Sequence, residues 1–259
     1  PRRCQRQARL ILMKPDFVDF HAHLDLYPDL ADAIRICDSS RTATLAVTTT
    51  PRAFARNKEL AEHSPFVRVA LGLHPQLVAE RASELALFAD LLPQTRYVGE
   101  VGLDASPRHY RSFEAQKEVF GKILKLCAEA GDKVLSLHSV RCAKHVLDMV
   151  EASLLMSRGA VVLHWFTGSA NEARRAVDMG CYFSINERMF ATPKVDAVLK
   201  GIPTDRLLTE TDGPFVERDG VPVQPGDVSK VVDLLASSIG DTPLEIRKLL
   251  ARNLRNLVS

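Results

Sequence analysis

Three short stretches of this chain place metal-binding side chains where an extended backbone would present them together. In Asp19-Phe20-His21-Ala22-His23, the two histidines are one residue apart. Successive side chains of a strand point to opposite faces, so His21 and His23 share a face and can grip one ion. Glu100 sits in Gly99-Glu100-Val101-Gly102-Leu103-Asp104, and Asp212 closes Glu210-Thr211-Asp212. His138 and His164 each end a further apolar run. A lone strand histidine is usually a satisfied core or surface residue, and a lone carboxylate more often caps a helix or pairs with arginine. Six such groups at five strand ends are not explained that way. They are the ligand set of a binuclear metal site.

These residues need elements that bring them to one place. Runs at Phe17–His21, Thr42–Thr48, Phe66–Leu71, Arg96–Glu100, Val134–His138, Ala160–His164, Cys181–Ile185 and Arg206–Glu210 read as strands. Amphipathic stretches near 29–39, 52–63, 80–92, 112–130, 141–156, 169–179 and 193–200 separate them, and helices near 226–239 and 242–257 close the chain. In 112–130, Phe113, Gln116, Val119, Phe120, Ile123, Leu124 and Cys127 recur at helical spacing, and Gly131 stops the helix. Alternation of this kind fits a closed barrel or an open doubly wound sheet. No glycine-rich phosphate loop follows the first strand, and the candidate ligands all fall at carboxyl ends of strands. A single (β/α)8 TIM barrel with the active site at those ends is expected, spanning residues 13–259.

Composition sets the outer bounds. The chain has 259 residues, 46% hydrophobic and 25% charged, which fits a globular domain and excludes disorder or a collagen-like repeat. Its 34 basic residues nearly balance 32 acidic ones, so general positive charge is not how it would hold nucleic acid, although a local cleft still could. Five cysteines, odd in number and without a C-x-x-C pair, suggest reduced thiols and a cytoplasmic setting. No apolar stretch is long enough to span a bilayer, so no membrane partner is expected. Residues 1–12 carry four arginines and no acid. They read as a mobile leader before Met13 rather than a phosphate-binding arm.

The ordered blocks from Asp19 to His23, Gly72-Leu73-His74-Pro75, Gly99 to Asp104, His138-Ser139, His164-Trp165-Phe166-Thr167-Gly168 and Glu210-Thr211-Asp212-Gly213-Pro214 resemble the TatD family of metal-dependent deoxyribonucleases, within the amidohydrolase-like barrels. The likeness covers residues 16–258. Within the family, the blocks from His21 to Pro28 and from Glu210 to Phe215 look most similar to the TatD-like subunit of Qat anti-phage defence systems.

The resemblance implies two divalent ions (Mg, Mn or Zn). His21, His23 and Asp212 would hold one, His138 and His164 the other, and Glu100 would bridge them. It further implies an activated water attacking phosphorus, with Asp212 as general base. His74, facing the same mouth, would contact a substrate phosphate. Arg141, Trp165, Thr167 and Ser169 are further substrate-contact candidates, Trp165 by base stacking. Ser169-Ala170-Asn171-Glu172 also reads as a helix-capping box, which is sufficient reason for its serine. Glu210 and Asp104 are placed behind the ligands, orienting them.

Two departures from the family concern substrate handling. Relatives have His-x-Arg after the fifth strand, whereas this chain reads His138-Ser139-Val140-Arg141, which puts the arginine one residue late. The stretch from Phe215 to Asp227 lacks the family's Arg/Asn-containing segment. The leading expectation is therefore a phosphodiesterase trimming DNA ends within anti-phage defence. A metal-dependent hydrolase of another bond and a protein-binding subunit of a defence complex are the alternatives.

Overall fold

The computed structural model describes residues 14–153, 155–192 and 194–259. Eight parallel strands follow the expected order: β1 Phe17–Ala22, β2 Thr42–Val47, β3 Val67–Ala70, β4 Tyr97–Asp104, β5 Val134–Val140, β6 Ala160–His164, β7 Tyr182–Ile185 and β8 Leu207–Thr209. Regular ladders join β1 to β3 and β4 to β8. Two seams close the ring. At the first, Leu71 N donates to Tyr97 O (3.0 Å) and Gly99 N to Leu71 O (2.9 Å). At the second, the Thr209 hydroxyl donates to Val18 O and Asp212 N to His21 O, the latter at 2.9 Å. Gly72 makes the first seam possible, since a Cβ there would lie 1.7 Å from Thr48 O. The expected barrel is the observed one.

Around the ring lie α1 Leu30–Ser39, α2 Pro51–Ala61, α3 Val78–Arg81, α4 Leu85–Leu91, α5 Phe113–Ala130, α6 Ala143–Ala152, α7 Ala170–Asp178, α8 Lys194–Leu199, α9 Ser229–Ile239 and α10 Pro243–Leu257. Their starts follow local chemistry. Asp29 accepts the Asp32 amide at α1, and Thr242 accepts the Glu245 amide at α10, with Pro243 in the first turn. Gly131, at φ 69°, ends α5, and the buried face of that helix is the expected seven residues. One expectation changes: the helix near 80–92 is two short helices. The 3-10 turn Ala82–Glu84 between them buries Glu84, which pairs with Arg52 at 3.1 Å and Arg81 at 3.3 Å.

Most strand residues are buried on both faces, as in a barrel wrapped by helices. Cys37, Cys127, Cys142 and Cys181 are buried and free, and burial pushes each thiol up to about 12, which makes them unreactive packing residues. Cys4 and residues 1–12, expected to be a leader, lie outside the described residues. Among those described, no helix is long and apolar enough to cross a membrane.

Candidate metal centre

Strand alternation delivers the site. His21 and His23 project from the end of β1 on one face, Glu100 from β4, His138 from β5 and His164 from β6, while Asp212 sits three residues beyond β8. All six are buried. Four polar atoms converge at the β1 side. His21 Nε2 and His23 Nε2 are 3.4 Å apart, lie 3.3 and 3.1 Å from Glu100 Oε2, and 3.7 and 3.6 Å from Asp212 Oδ1. Ligands sharing one ion at bonds of ~2.0–2.2 Å in tetrahedral geometry are themselves about 3.4 Å apart. Asp212 Oδ1 is buried without a hydrogen-bond partner, an orphan that a cation would satisfy. The donor set therefore fits a divalent metal.

The other oxygen of Glu100 faces the opposite way. Oε1 lies 2.5 Å from His138 Nδ1 and 3.0 Å from His164 Nε2. One carboxylate thus addresses two histidine groups, one with each oxygen. Possible ligand atoms gather in three overlapping sets: His21, His23 and Glu100; His74, Glu100 and His138; and His21, His164 and Glu210. The second and third sets differ from the expected pairing of His138 with His164, and hydrogen bonding separates ligand from support. His74 Nδ1 accepts the Gln76 amide at 3.2 Å, so its proton is on Nε2, which donates to Glu100 Oε2 at 3.2 Å. Glu210 Oε1 accepts Trp165 N (3.0 Å) and Asn186 Nδ2 (2.9 Å), and its Oε2 accepts the Ser184 hydroxyl. Three donors therefore hold Glu210 in place, with Oε1 3.5 Å behind His164 Nδ1.

Other supports are equally specific. Asp104 Oδ2 receives His138 Nε2 at 3.0 Å and Gln76 Nε2 at 2.8 Å, leaving His138 Nδ1 for the centre. Ser136 Oγ, 2.7 Å from His21 Nδ1, orients that ring. Asp19 accepts both the amide and the hydroxyl of Thr211, at 2.8 and 2.7 Å, and so ties the Asp212 turn to β1. That turn needs the bracing, because Asp212 has a left-handed φ of 48°.

Charge follows from this crowding. Burial alone would raise the Glu100 carboxyl, but the surrounding imidazoles of His74, His164, His138 and His21 hold it well below the usual range. Burial pushes Asp212 well above its ordinary value, helped by Glu100 and Glu210 and opposed by His164. Burial also lowers His21, whose ring stacks on His164 at 3.8 Å. His164 goes well above normal despite its burial, because Glu100 and Glu210 flank it. Burial lifts Asp19 to about 7 against its Thr211 hydrogen bonds.

The centre floors a cavity of about 440 Å³. Of the expected substrate contacts, His74, Arg141, Trp165 and Thr167 line it. Arg141 reaches the cavity because it adopts a left-handed φ of 58°, which offsets its one-residue displacement. Ser169 is not brought to the cavity. Its side chain accepts the Glu172 amide, and its own amide and hydroxyl bond Glu172 Oε2 at 2.7 Å each, completing the capping box of α7. Phe215, edge-on to His23 at 5.0 Å, and Gln76 line the cavity without having been foreseen. Ser136 and Asp19 were also missed, although each precedes a ligand by two residues on the same strand face.

A parallel barrel with buried histidines and carboxylates gathered at the carboxyl ends of its strands defines a metal-dependent hydrolase. The chain belongs to the TatD-related DNase family, whose model matches residues 18–259. It is 29% identical over 255 residues to the uncharacterized metal-dependent hydrolase YabD of Bacillus subtilis, covering 92% of this chain and 97% of that one. It is 30% identical over 239 residues to the 3'-5' ssDNA/RNA exonuclease TatD of Pantoea vagans, covering 86% and 90%. Among solved structures, the TatD homologue YjjV of Escherichia coli superposes with a TM-score of 0.85 at 27% identity, covering 95% of this chain and 98% of that one.

Proposed function

We propose that the protein is a phosphodiesterase that trims DNA ends with two divalent ions, which His21, His23, Asp212, His138, His164 and Glu100 would hold. The observation that carries this reading is the division of Glu100 between His21 and His23 at Oε2 and His138 and His164 at Oε1. Relatives named as 3'-5' ssDNA/RNA exonucleases support nucleic acid as the substrate. Mixed imidazole and carboxylate donors suit Mn, Zn or Mg.

When bound, the ions supply Lewis acidity toward phosphoryl oxygens and lower the pKa of water. Asp212, beside His21 and His23 and otherwise unpartnered at Oδ1, takes the proton of the attacking water. His74, on the cavity wall beside Glu100, faces the phosphate. Arg141 and Thr167 contact the same group from the β5 and β6 loops, and Trp165 packs against the base. Asp104 and Glu210 hold His138 and His164 in the required orientation.

Incubation with end-labelled DNA and Mn²⁺, Mg²⁺ or Zn²⁺ should shorten the strand progressively, and EDTA should stop the reaction. Intact DNA beside hydrolysed bis(p-nitrophenyl) phosphate would move the assignment to a non-nucleic-acid substrate. A role in cytoplasmic anti-phage defence, with other defence proteins as partners, rests on the likeness of the His21–Pro28 and Glu210–Phe215 blocks to the Qat subunit. It predicts that deleting the gene lowers phage resistance and that Asp212→Asn does so equally.

A further inference from the structure

Beside the cavity mouth, the segment after β4 carries a basic and aromatic surface that the metal centre does not use. Residues 105–112 include Arg108, His109, Tyr110 and Arg111 and no acid. The segment is pinned to the site. Ala105 N donates to Val140 O at 3.0 Å, one residue before Arg141, and Ser106 N donates to Asp104 Oδ1 at 2.8 Å. Tyr110 is 61% exposed, and its ring lies nearly parallel to Phe113 at 5.5 Å. Phe113 in turn meets His145 edge-on at 5.5 Å. His145 is in the first turn of α6, four residues after Arg141 at the cavity lip. Three rings thus run from His145 through the buried Phe113 to the exposed Tyr110.

The charge beside this row is unbalanced. Arg108, Arg111 and Arg141 are exposed and have no ionic or hydrogen-bonded partner among the described residues. The nearest acids along the chain are already engaged: Asp104 with His138 and Gln76 at 3.0 and 2.8 Å, Glu114 with Lys117 at 2.8 Å, and Asp148 with Lys144 and Arg175 at 2.7 and 2.6 Å. Unpaired guanidinium groups around an aromatic face match a single nucleic-acid strand, which offers phosphates and bare bases together. The cavity is at the small end of ligand sites, ~300–1,000 Å³, so it admits the end of a strand while the remainder crosses the rim.

We propose that this rim holds the single-stranded segment beyond the nucleotide in the cavity, with a base on Tyr110 and phosphates on Arg108 and Arg111. The inference rests on the nuclease reading and extends it from the reacting end to the strand behind it.

The test is fluorescence anisotropy in EDTA, where nothing is cleaved, with a labelled twelve-nucleotide oligothymidylate and a labelled trinucleotide. The wild type should bind the longer strand more tightly. Tyr110→Ala with Arg111→Ala should weaken binding of the longer strand by about 10-fold, from one lost stack and one lost phosphate contact. The ratio of long-strand to short-strand affinity should collapse accordingly. The salt slope should become shallower by ~0.7. Tyr110→Phe, which keeps the ring, should retain the stacking share, and the single Arg111→Gln variant gives a second reading if the double variant melts early. Equal wild-type affinity for the two lengths, or an unchanged ratio in the variants, overturns the proposal. Wild-type DNA cleavage measured on the same preparation separates the two ideas: cleavage with an unchanged ratio removes the rim and leaves the nuclease. Tight length-dependent binding without cleavage removes the nuclease and leaves the rim.

Discussion

The floor and the rim of the cavity are built on opposite plans. On the floor, Glu100 and Asp212 are at most 4% exposed, and second contacts brace the ligands: Asp104 behind His138, Glu210 behind His164, Ser136 behind His21 and Asp19 behind the Asp212 turn. On the rim, Phe215 is 56% exposed, and Arg141 is exposed with no side-chain partner among the described residues. A two-residue strand repeat and fixed hydrogen bonds preorganise the floor for one chemistry. Loop side chains on the rim can change without disturbing it, which is how one barrel serves different substrates.

If the floor holds the chemistry, damage there should dominate. Asp212→Asn keeps the side chain's size and removes its charge and basicity. With metal at saturation, the rate should fall by at least ~10²–10⁴-fold, the share of a general base. Circular dichroism should be unaltered, and DNA affinity should persist through the rim. A metal-loaded, folded variant that cleaves at wild-type rate would remove Asp212 from the mechanism. His21→Ala with His23→Ala should cost comparable activity for a different reason. The wild type should carry about two ions per chain, as in two-metal sites, and this variant should lose one, read by elemental analysis of the folded protein.

A smaller effect is expected one layer further out. Asp104→Asn leaves every proposed ligand in place but replaces the carboxylate that receives His138 and Gln76. Loss of such a support lowers metal affinity by ~10–100-fold. Activity should therefore recover at high metal, with the concentration for half-maximal rate displaced and the plateau largely restored. An unchanged metal titration would make Asp104 a loop-forming residue only.

The same contrast explains what could be read from the chain. The strands and the candidate ligands were legible because short apolar runs alternate with helices, and His23 and His164 stand where β1 and β6 end. Glu100 was expected at the end of its strand, but β4 continues to Asp104 and places it inside. The supports Ser184 and Asn186 were not, because β7 offers no ligand to draw attention to its inward face and a serine or asparagine has many uses. Arg141 was a substrate-contact candidate, but the backbone that brings it to the cavity was not legible. Its displacement by one residue predicts a different direction, and only the left-handed backbone, uncommon outside glycine and asparagine, returns it to the cavity. The split of the 80–92 helix depends on Glu84 meeting Arg52 from α2, a tertiary pairing that periodicity does not encode.

Ser169 gives the finest division between floor, rim and scaffold. It is five residues from His164 and two from Thr167, which lines the cavity, so proximity alone would make it a substrate contact. Its hydrogen bonds say otherwise: the hydroxyl and amide are spent on Glu172, and Glu172 Oε1 also accepts the Lys144 amide at 3.0 Å, joining α7 to α6. Removing a serine cap costs ~0.5–2 kcal/mol, and for a domain of this size each kcal/mol is ~2–4 °C in Tm. Ser169→Ala should accordingly lower Tm by a few degrees while KM for DNA stays within experimental error. Glu172→Gln, which weakens the same box from the other side, should give a Tm loss that is less than additive with it, because both changes break one reciprocal pair. A rise in KM without a change in Tm would return Ser169 to the substrate and move the boundary of the rim one turn into α7.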